Sequence, residues 1–245
     1  MHNQKIIDFK VINSNITLNG KINLISKTNP VVIFIPGISG KALTDKFDWI
    51  ANVFTDIGYN FVRFNFRGYE EGNSFEESSL ENELEDFSNL LKKINEIGFD
   101  MQKYGVIAKS IGALKALLIQ DSNLKCTGLL APAISLDKKD NLSRTKKVLY
   151  KNIGEYFEYK LSFNMVKNSP ATIVFYGGKD QVVNKEDSEN LIKHLSNLKE
   201  SYYISNEDHS LEEAKTKLFI KEMITPFFKS IYKLKIHRLV VQWVY

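Results

Sequence analysis

The chain has 245 residues, of which 43% are hydrophobic and 12% aromatic, so it can bury a sizeable core and is not intrinsically disordered. The formal net charge is +4, from 33 basic and 29 acidic side chains without a basic block, so the charge pattern does not favour nucleic acid as a partner. The one cysteine, Cys126, excludes a disulfide within a chain, and its apolar surroundings predict a buried side chain.

The sequence also lacks the two signals that direct a chain to a membrane. No apolar run reaches the roughly 18 residues of a membrane-spanning helix, and residues 1–8 lack the apolar core of a secretory signal. We therefore expect a soluble, cytoplasmic protein. The length fits one large α/β domain or two small ones.

Short apolar segments alternate with longer amphipathic stretches, which is typical of a mostly parallel sheet flanked by helices. This pattern predicts the α/β class. Residues 4–26 predict a β-hairpin with Asn19 and Gly20 at its turn. The other predicted strands are, in chain order, Val31 to Ile35, Asn60 to Asn65, Tyr104 to Lys109, Cys126 to Leu130, Ala171 to Tyr176 and Glu200 to Ser205.

The first predicted helix has a single apolar stripe whose members recur at helical spacing. Ser78 and Glu81 form a capping box at its start, and Gly98 is a stop signal at its end. The stripe consists of Leu80, Leu84, Phe87, Leu91 and Ile94.

Three more helices are predicted further along the chain. One follows Ser110 directly, one begins near Asn184, and one begins near Ser210. Because proline lacks an N–H and clashes with the preceding turn, Pro226 is expected to end or kink the last of these helices.

Residues 132–168 interrupt the alternation and predict one or two short helices inserted between strands. No linker rich in glycine, serine or proline divides the chain, and no internal repeat is visible. We therefore predict a single domain over residues 1–245 with 132–168 as a short helical cap. The aromatic residues of the cap fit either a pocket lining or packing against the domain; they include Tyr150, Tyr156, Phe157, Tyr159 and Phe163.

The segment from Tyr104 to Ala113 predicts a buried strand, a serine and then a helix. An exposed serine on a sharp strand-to-helix turn is how one class of enzymes presents its nucleophile. Small residues two positions before and after Ser110, namely Ala108 and Gly112, allow the strand and the helix to approach closely. An ordinary helix N-cap serine gives a similar local pattern, so the partners of this serine decide between the two interpretations.

A serine hydroxyl needs a base to take its proton. Of the four histidines, His2 is terminal, His194 lies within a predicted helix and His237 lies in the basic tail. His209 follows a predicted strand and precedes a helix, in a loop that can project over the edge of the sheet. We predict His209 as the base.

The base in turn needs an acid that orients it. Asp180 follows a buried strand through a glycine turn, and functional groups of parallel sheets gather beyond the carboxyl ends of the strands. Glu207 and Asp208 directly precede the histidine, but neighbouring loop residues rarely direct their side chains at each other. We predict Asp180 as the acid; an ordinary turn aspartate is the alternative.

Acyl transfer also needs two N–H donors for the oxyanion, and we predict the backbone amides of Ile38 and Ile111. The segment 37–41 around Ile38 also resembles a phosphate-binding loop. That motif needs glycine and a hydroxyl residue where the chain has Ile35 and Ala42. We expect no nucleotide, metal or organic cofactor.

Taken together and in this order, the motifs resemble the α/β-hydrolases over about residues 15 to 228. The matching segments are the strand and loop Ile33 to Gly37, the loop Phe66 to Ser74, the serine turn, the acid turn Gly178 to Asp180, and His209. Within that superfamily the chain is most similar to small serine esterases and to acylaminoacyl-peptidase-like or dienelactone-hydrolase-like proteins with a short cap.

The resemblance implies a serine hydrolase that cleaves a small carboxylic ester or thioester through an acyl-enzyme. An amide or peptide hydrolase, an acyltransferase and a non-catalytic binding protein stay open as alternatives. The chain departs from the family pattern at Pro36, where histidine is frequent, and at Ala108 and Ala113, where glycine is usual. Serine as nucleophile argues against the dehalogenase and epoxide-hydrolase branches.

Two basic side chains and the tail lie outside this constellation. Arg67 is expected to anchor its loop to acidic neighbours rather than to bind a substrate carboxylate. Lys109 is expected to point away from the nucleophile and to take no part in catalysis. The basic and aromatic tail, 229–245, fits either a membrane or partner contact or a self-packed or disordered terminus.

Overall fold

The computed structural model describes residues 5–13, 15–37, 41–69, 79–134 and 168–232. Within these ranges eight strands form one sheet: β1 (Lys5–Asn13), β2 (Ile16–Leu24), β3 (Val31–Ile35), β4 (Asn60–Phe64), β5 (Tyr104–Lys109), β6 (Leu124–Leu130), β7 (Ala171–Gly177) and β8 (Leu198–Ile204). Their spatial order is β1-β2-β4-β3-β5-β6-β7-β8. The pairs β1–β2 and β2–β4 are antiparallel and the others parallel, which confirms the predicted α/β class.

Helices cover both faces of this sheet. The described helices are α1 (Asp48–Asp56), α2 (Leu80–Glu96), α3 (Gly112–Leu118), α4 (Lys185–His194) and α5 (Ala214–Tyr232), and a 3₁₀ helix (Asp45–Phe47) precedes α1. Helices α2, α3 and α4 pack on one face, and α1 and α5 on the other. No helix in the described part of the chain is long and apolar enough to cross a membrane.

The central strand β3 is apolar along its whole length, as expected for a strand that is covered on both faces. In β3 all five residues are buried, and alternate side chains enter the two cores. Cys126 is buried in β6, as predicted. The predicted strands after the hairpin are confirmed, and their ends differ from the observed ones by at most two residues.

The predicted hairpin turn at Asn19 and Gly20 is wrong, because both residues lie inside β2. The hairpin instead closes between Asn13 and Ile16, which form the last pair of the β1–β2 ladder. Gly20 is needed for another reason: a Cβ there would lie 2.1 Å from the ring of Phe9, its partner in β1. Cross-strand packing, and not a turn, explains this glycine.

The helices also differ from their predictions in several places. Helix α1 was not predicted, although Ile50, Val53 and Phe54 bury one face of it at helical spacing. The last helix begins at Ala214 rather than near Ser210, and it continues through Pro226 to Tyr232.

Packing beyond the proline accounts for the continuation of α5. Phe227 and Phe228 are buried, and the Tyr59 hydroxyl donates a hydrogen bond to the Phe228 carbonyl at 2.9 Å. At the start of α2, Ser79 and not Ser78 is the N-cap, since its side chain accepts from the Asn82 amide. The predicted stop at Gly98 is confirmed, and that glycine has a φ of 93°.

Arg67 anchors the loop after β4 to helix α2, as predicted. Its guanidinium donates to both carboxylate oxygens of Asp86, with a shortest distance of 2.6 Å, and to Glu85 at 3.3 Å. The side chains of Arg67 and Asp86 are 9% and 0% exposed, whereas that of Glu85 is 56% exposed.

Asp86→Ala is expected to lower the free energy of unfolding by about 3–5 kcal/mol, because it leaves a buried guanidinium without its main partner. Glu85→Ala is the matched control, since it removes an exposed partner of the same guanidinium and should cost under about 1 kcal/mol. Urea unfolding of both variants measures the difference. Equal losses would contradict the assignment of Asp86 as the anchor.

Candidate active site

Ser110, Asp180 and His209 all lie at one edge of the sheet. Ser110 directly follows β5, Asp180 lies in the turn after β7, and His209 lies in the loop after β8. These strands run parallel, so their carboxyl ends meet at the same edge.

The three side chains form one hydrogen-bonded series. His209 Nδ1 lies 2.8 Å from Asp180 Oδ2, and His209 Nε2 lies 2.8 Å from Ser110 Oγ. An ionised carboxylate only accepts hydrogen bonds, so Nδ1 carries the proton. In the neutral imidazole Nε2 is then the acceptor of the Ser110 hydroxyl, and the serine proton already points at the base.

Asp180 is held in place by the backbone of its own turn. Its Oδ1 accepts hydrogen bonds from the amides of Val182 and Val183, both at 2.8 Å, while its Oδ2 is left for His209. Burial opposes ionisation of this carboxyl, but the hydrogen bonds from His209 and from the two amides outweigh it, so the pKa of Asp180 lies below its usual value. The group is therefore a carboxylate at neutral pH.

Ser110 sits on a strained turn. Its φ of 55° lies in the left-handed region, which costs free energy for any residue with a side chain. Three backbone hydrogen bonds hold this conformation: the Ser110 amide donates to Leu130, and its carbonyl accepts from Ala113 and Ala133. The strained backbone directs the hydroxyl out of the strand and toward His209.

Gly112 allows α3 to start directly against β3. A Cβ at this position would lie 2.5 Å from the Ile35 carbonyl oxygen and 2.6 Å from that of Pro36. The predicted need for a small residue two positions after the serine therefore has a structural cause. The contact fixes the start of α3, and with it Ser110, relative to the neighbouring strand.

Gly112→Ala is expected to destabilise the protein, although glycine to alanine in a helix usually stabilises it by about 1 kcal/mol. The added methyl group forces α3 away from two backbone carbonyls, so we expect a loss of about 1–3 kcal/mol in the free energy of unfolding. Urea unfolding gives the sign directly. A stability equal to or above that of the unmodified protein would contradict this account of the glycine.

Two more glycines bring the acid turn against the loop that carries His209. A Cβ on Gly177 would lie 2.4 Å from the Glu207 carbonyl oxygen, and one on Gly178 would lie 2.5 Å from that of Ser205. The Lys179 amide also donates to the Glu207 carbonyl at 2.8 Å. This backbone contact brings the segment of Asp180 against the segment of His209, and it explains why both residues before Lys179 are glycines.

The loop after β3 passes beside the serine. A Cβ on Gly37 would lie 3.0 Å from Ser110 Cβ, so only glycine fits there without displacing a neighbour. Ile111, the N-cap of α3, lies next to Ser110. Ile38, the other predicted oxyanion donor, lies outside the described residues, as do most of the predicted cap (132–168) and the end of the tail (233–245).

The other candidate acids, Asp208 and Glu207, and the other described histidine, His194, do not belong to the hydrogen-bonded series of Ser110, His209 and Asp180. Asp208 is exposed, and its carboxylate accepts from the Ser210 amide at 2.7 Å. Glu207 is buried and meets the acid turn through its carbonyl. His194 lies in α4, where its Nδ1 is 2.7 Å from the Asn190 carbonyl.

Lys109 makes a contact that the sequence did not predict. Its Nζ donates to the carbonyl oxygens of His209 and Ser210, both at 2.8 Å. The sequence feature that could have indicated this contact is a lysine at the end of an otherwise apolar strand, because a partly buried ammonium needs hydrogen-bond acceptors.

No family model and no curated protein sequence matches the chain. Among solved structures it is similar to Est1E from Butyrivibrio proteoclasticus, described with bound ferulic acid, at 16% identity over 92% of this chain and 99% of that one, with a TM-score of 0.76. It is also similar to an esterase from Pyrococcus furiosus at 19% identity over 94% and 92% of the two chains, with a TM-score of 0.75. A thioesterase domain from the curacin biosynthetic pathway is 13% identical over 91% of this chain and 99% of that one, with a TM-score of 0.67. At these identities the shared property is the fold.

Proposed function

The chain has the α/β-hydrolase fold, and from this premise we propose that it is a serine hydrolase that cleaves a small carboxylic ester or thioester through an acyl-enzyme. The observation that carries the proposal is the hydrogen-bonded series from Asp180 through His209 to Ser110. A nucleophile, a base and an orienting acid are the groups that covalent acyl transfer requires. The esterases and the thioesterase domain among the similar structures support the choice of substrate class.

In the proposed reaction Ser110 Oγ attacks the substrate carbonyl carbon while His209 Nε2 takes the hydroxyl proton. The bond from that carbon to the leaving oxygen or sulfur then breaks, and Nε2 gives its proton to the leaving group. Water next attacks acyl-Ser110 with Nε2 again as base, and the proton returns to Ser110 Oγ as the acid departs. Asp180 keeps Nδ1 protonated and stabilises the imidazolium.

We assign the oxyanion to the backbone amides of Ile111 and Ile38. The amide of Ile111 lies at the start of α3, where the first N–H groups have no carbonyl partner within the helix. The close approach of Gly37 to Ser110 supports a donor from the next residue, Ile38. Loss of one such donor typically lowers kcat by about 10²–10³.

Rapid mixing with p-nitrophenyl butyrate tests the proposal. We expect a burst of nitrophenolate close to one equivalent per protein, followed by slower turnover, because this activated ester acylates Ser110 faster than water hydrolyses the acyl-enzyme. The Ser110→Ala variant supplies the background. Release no faster than that background would contradict the proposal and would indicate a binding protein.

A matched panel of acyl chains as p-nitrophenyl esters, thioesters and p-nitroanilides defines the substrate class. We expect a higher kcat/KM for the esters or thioesters than for the anilide with the same acyl group. A preference for the anilide would indicate an amide or peptide hydrolase. Product formation that depends on an added alcohol would indicate an acyltransferase.

A further inference from the structure

We propose that Lys109 is a positioning residue that holds His209 at hydrogen-bond distance from Ser110 and Asp180. This inference rests on the proposed function of those three residues. Lys109 Nζ donates hydrogen bonds to the carbonyl oxygens of His209 and Ser210. It therefore positions the imidazole through the backbone of His209. We call residues 205–213, between β8 and α5, the histidine loop.

Lys109 reaches the histidine loop because of its place in β5. It is the last residue of that strand and precedes Ser110. Side chains alternate along a strand: Ala108 enters the core under α2, α3 and α4, whereas Ile107 enters the core under α1 and α5. Lys109 therefore projects on the same side as Ile107, and the residue that contacts the histidine loop directly precedes the proposed nucleophile.

Two backbone and side-chain contacts of the histidine loop lie on either side of His209. On one side the Lys179 amide bonds the Glu207 carbonyl at 2.8 Å. On the other side Lys46 and Glu212 form an ion pair at 2.6 Å, with side chains 51% and 35% exposed. Lys109 is bonded to His209 itself, so it constrains the backbone from which the imidazole projects.

Charged groups from three segments of the described chain interact electrostatically with Lys109. They are Lys46 in the 3₁₀ helix, Asp180 in the turn after β7, and Asp208 and Glu212 in the histidine loop. Burial and the nearby Lys46 lower the pKa of Lys109 to about 8, against the opposing effect of the three acidic groups. Above this pH the amine loses its charge and one of its three N–H donors, so both bonds to the loop weaken.

Three variants test the proposal. Lys109→Met keeps most of the length of the unbranched side chain but removes its donors, and we expect kcat to fall about 10- to 100-fold with KM little changed. Lys109→Arg keeps the donors and stays charged at alkaline pH, so its kcat should lie well above that of the methionine variant. Lys46→Met removes a neighbouring, more exposed lysine and should change kcat by less than about threefold.

The pH profile separates positioning from a merely structural role. The unmodified protein should lose kcat as the pH rises through about 8, because the anchor deprotonates. Lys109→Met and Lys109→Arg both lack the amine of Lys109, so this loss of kcat should be absent from their pH profiles. All values of kcat are taken per site titrated in the burst, which removes any effect of unfolded protein.

A proton NMR signal of His209 Nδ1–H tests the geometry without turnover. We expect this proton, bonded to Asp180, to be visible in the unmodified protein and in Lys46→Met, and to be lost in Lys109→Met. A Lys109→Met variant with kcat per site within about threefold of the unmodified protein, or with an unchanged Nδ1–H signal, would overturn the proposal. If the unmodified protein releases nitrophenolate no faster than Ser110→Ala, the proposed function fails, and the NMR signal still decides whether Lys109 positions His209.

Discussion

Replacing His209 by alanine is expected to lower kcat about 10⁵- to 10⁶-fold on a p-nitrophenyl ester, with KM changed little. The loss is this large because His209 Nε2, the proposed base, lies 2.8 Å from the Ser110 hydroxyl. Without it the serine remains protonated and is a weak nucleophile. Steady-state kinetics at neutral pH measure the effect.

His194→Ala is the matched control for this prediction. His194 lies in α4 and contacts the Asn190 carbonyl instead of the serine. Its removal should change kcat by less than about threefold, as for an ordinary surface substitution. A loss under about tenfold for His209→Ala, or an equal loss for His194→Ala, would contradict the assignment of the base.

Asp180→Asn is expected to lower kcat by about 10⁴-fold without a large loss of stability. The amides of Val182 and Val183 donate to one side-chain oxygen of residue 180, so the asparagine oxygen would stay with them. Its NH₂ group would then face His209 Nδ1, which must become an acceptor. The imidazole proton would move to Nε2, and Nε2 could no longer accept the serine proton.

Asp208→Asn tests whether this effect belongs to position 180. Asp208 is exposed, directly precedes the histidine and bonds Ser210. We expect less than about a tenfold loss in kcat for this variant, since the carboxylate is not bonded to the imidazole. A larger loss for Asp208→Asn than for Asp180→Asn would indicate that Asp208, and not Asp180, is the acid that orients His209. Kinetics on the same ester compare the two.

The sequence predicts those features that depend on local patterns. Apolar runs such as Val31 to Ile35 locate the buried strands, and the setting of Ser110 between a strand and a helix is visible in ten consecutive residues. Asp180 and His209 were selected because each follows a strand. Since parallel strands end at the same edge of a sheet, chain order alone predicted that the three would meet.

Features that depend on contacts between distant segments were not predictable in this way. The Asn19-Gly20 pair has the composition of a turn, but the ring of Phe9 occupies the space beside Gly20. Pro226 lacks a helical hydrogen bond, yet buried side chains beyond it keep α5 continuous. The bonds from Lys109 to the histidine loop join residues about a hundred positions apart, and no spacing in the sequence encodes that register.

Covalent labelling with a fluorophosphonate, followed by peptide mass spectrometry, tests most directly whether this chain is a serine hydrolase. The reagent phosphonylates a serine that an adjacent base activates. We predict one adduct per protein, located on Ser110 and absent from the Ser110→Ala variant. An adduct on another residue, or equal labelling of the unmodified protein and Ser110→Ala, would contradict Ser110 as the nucleophile.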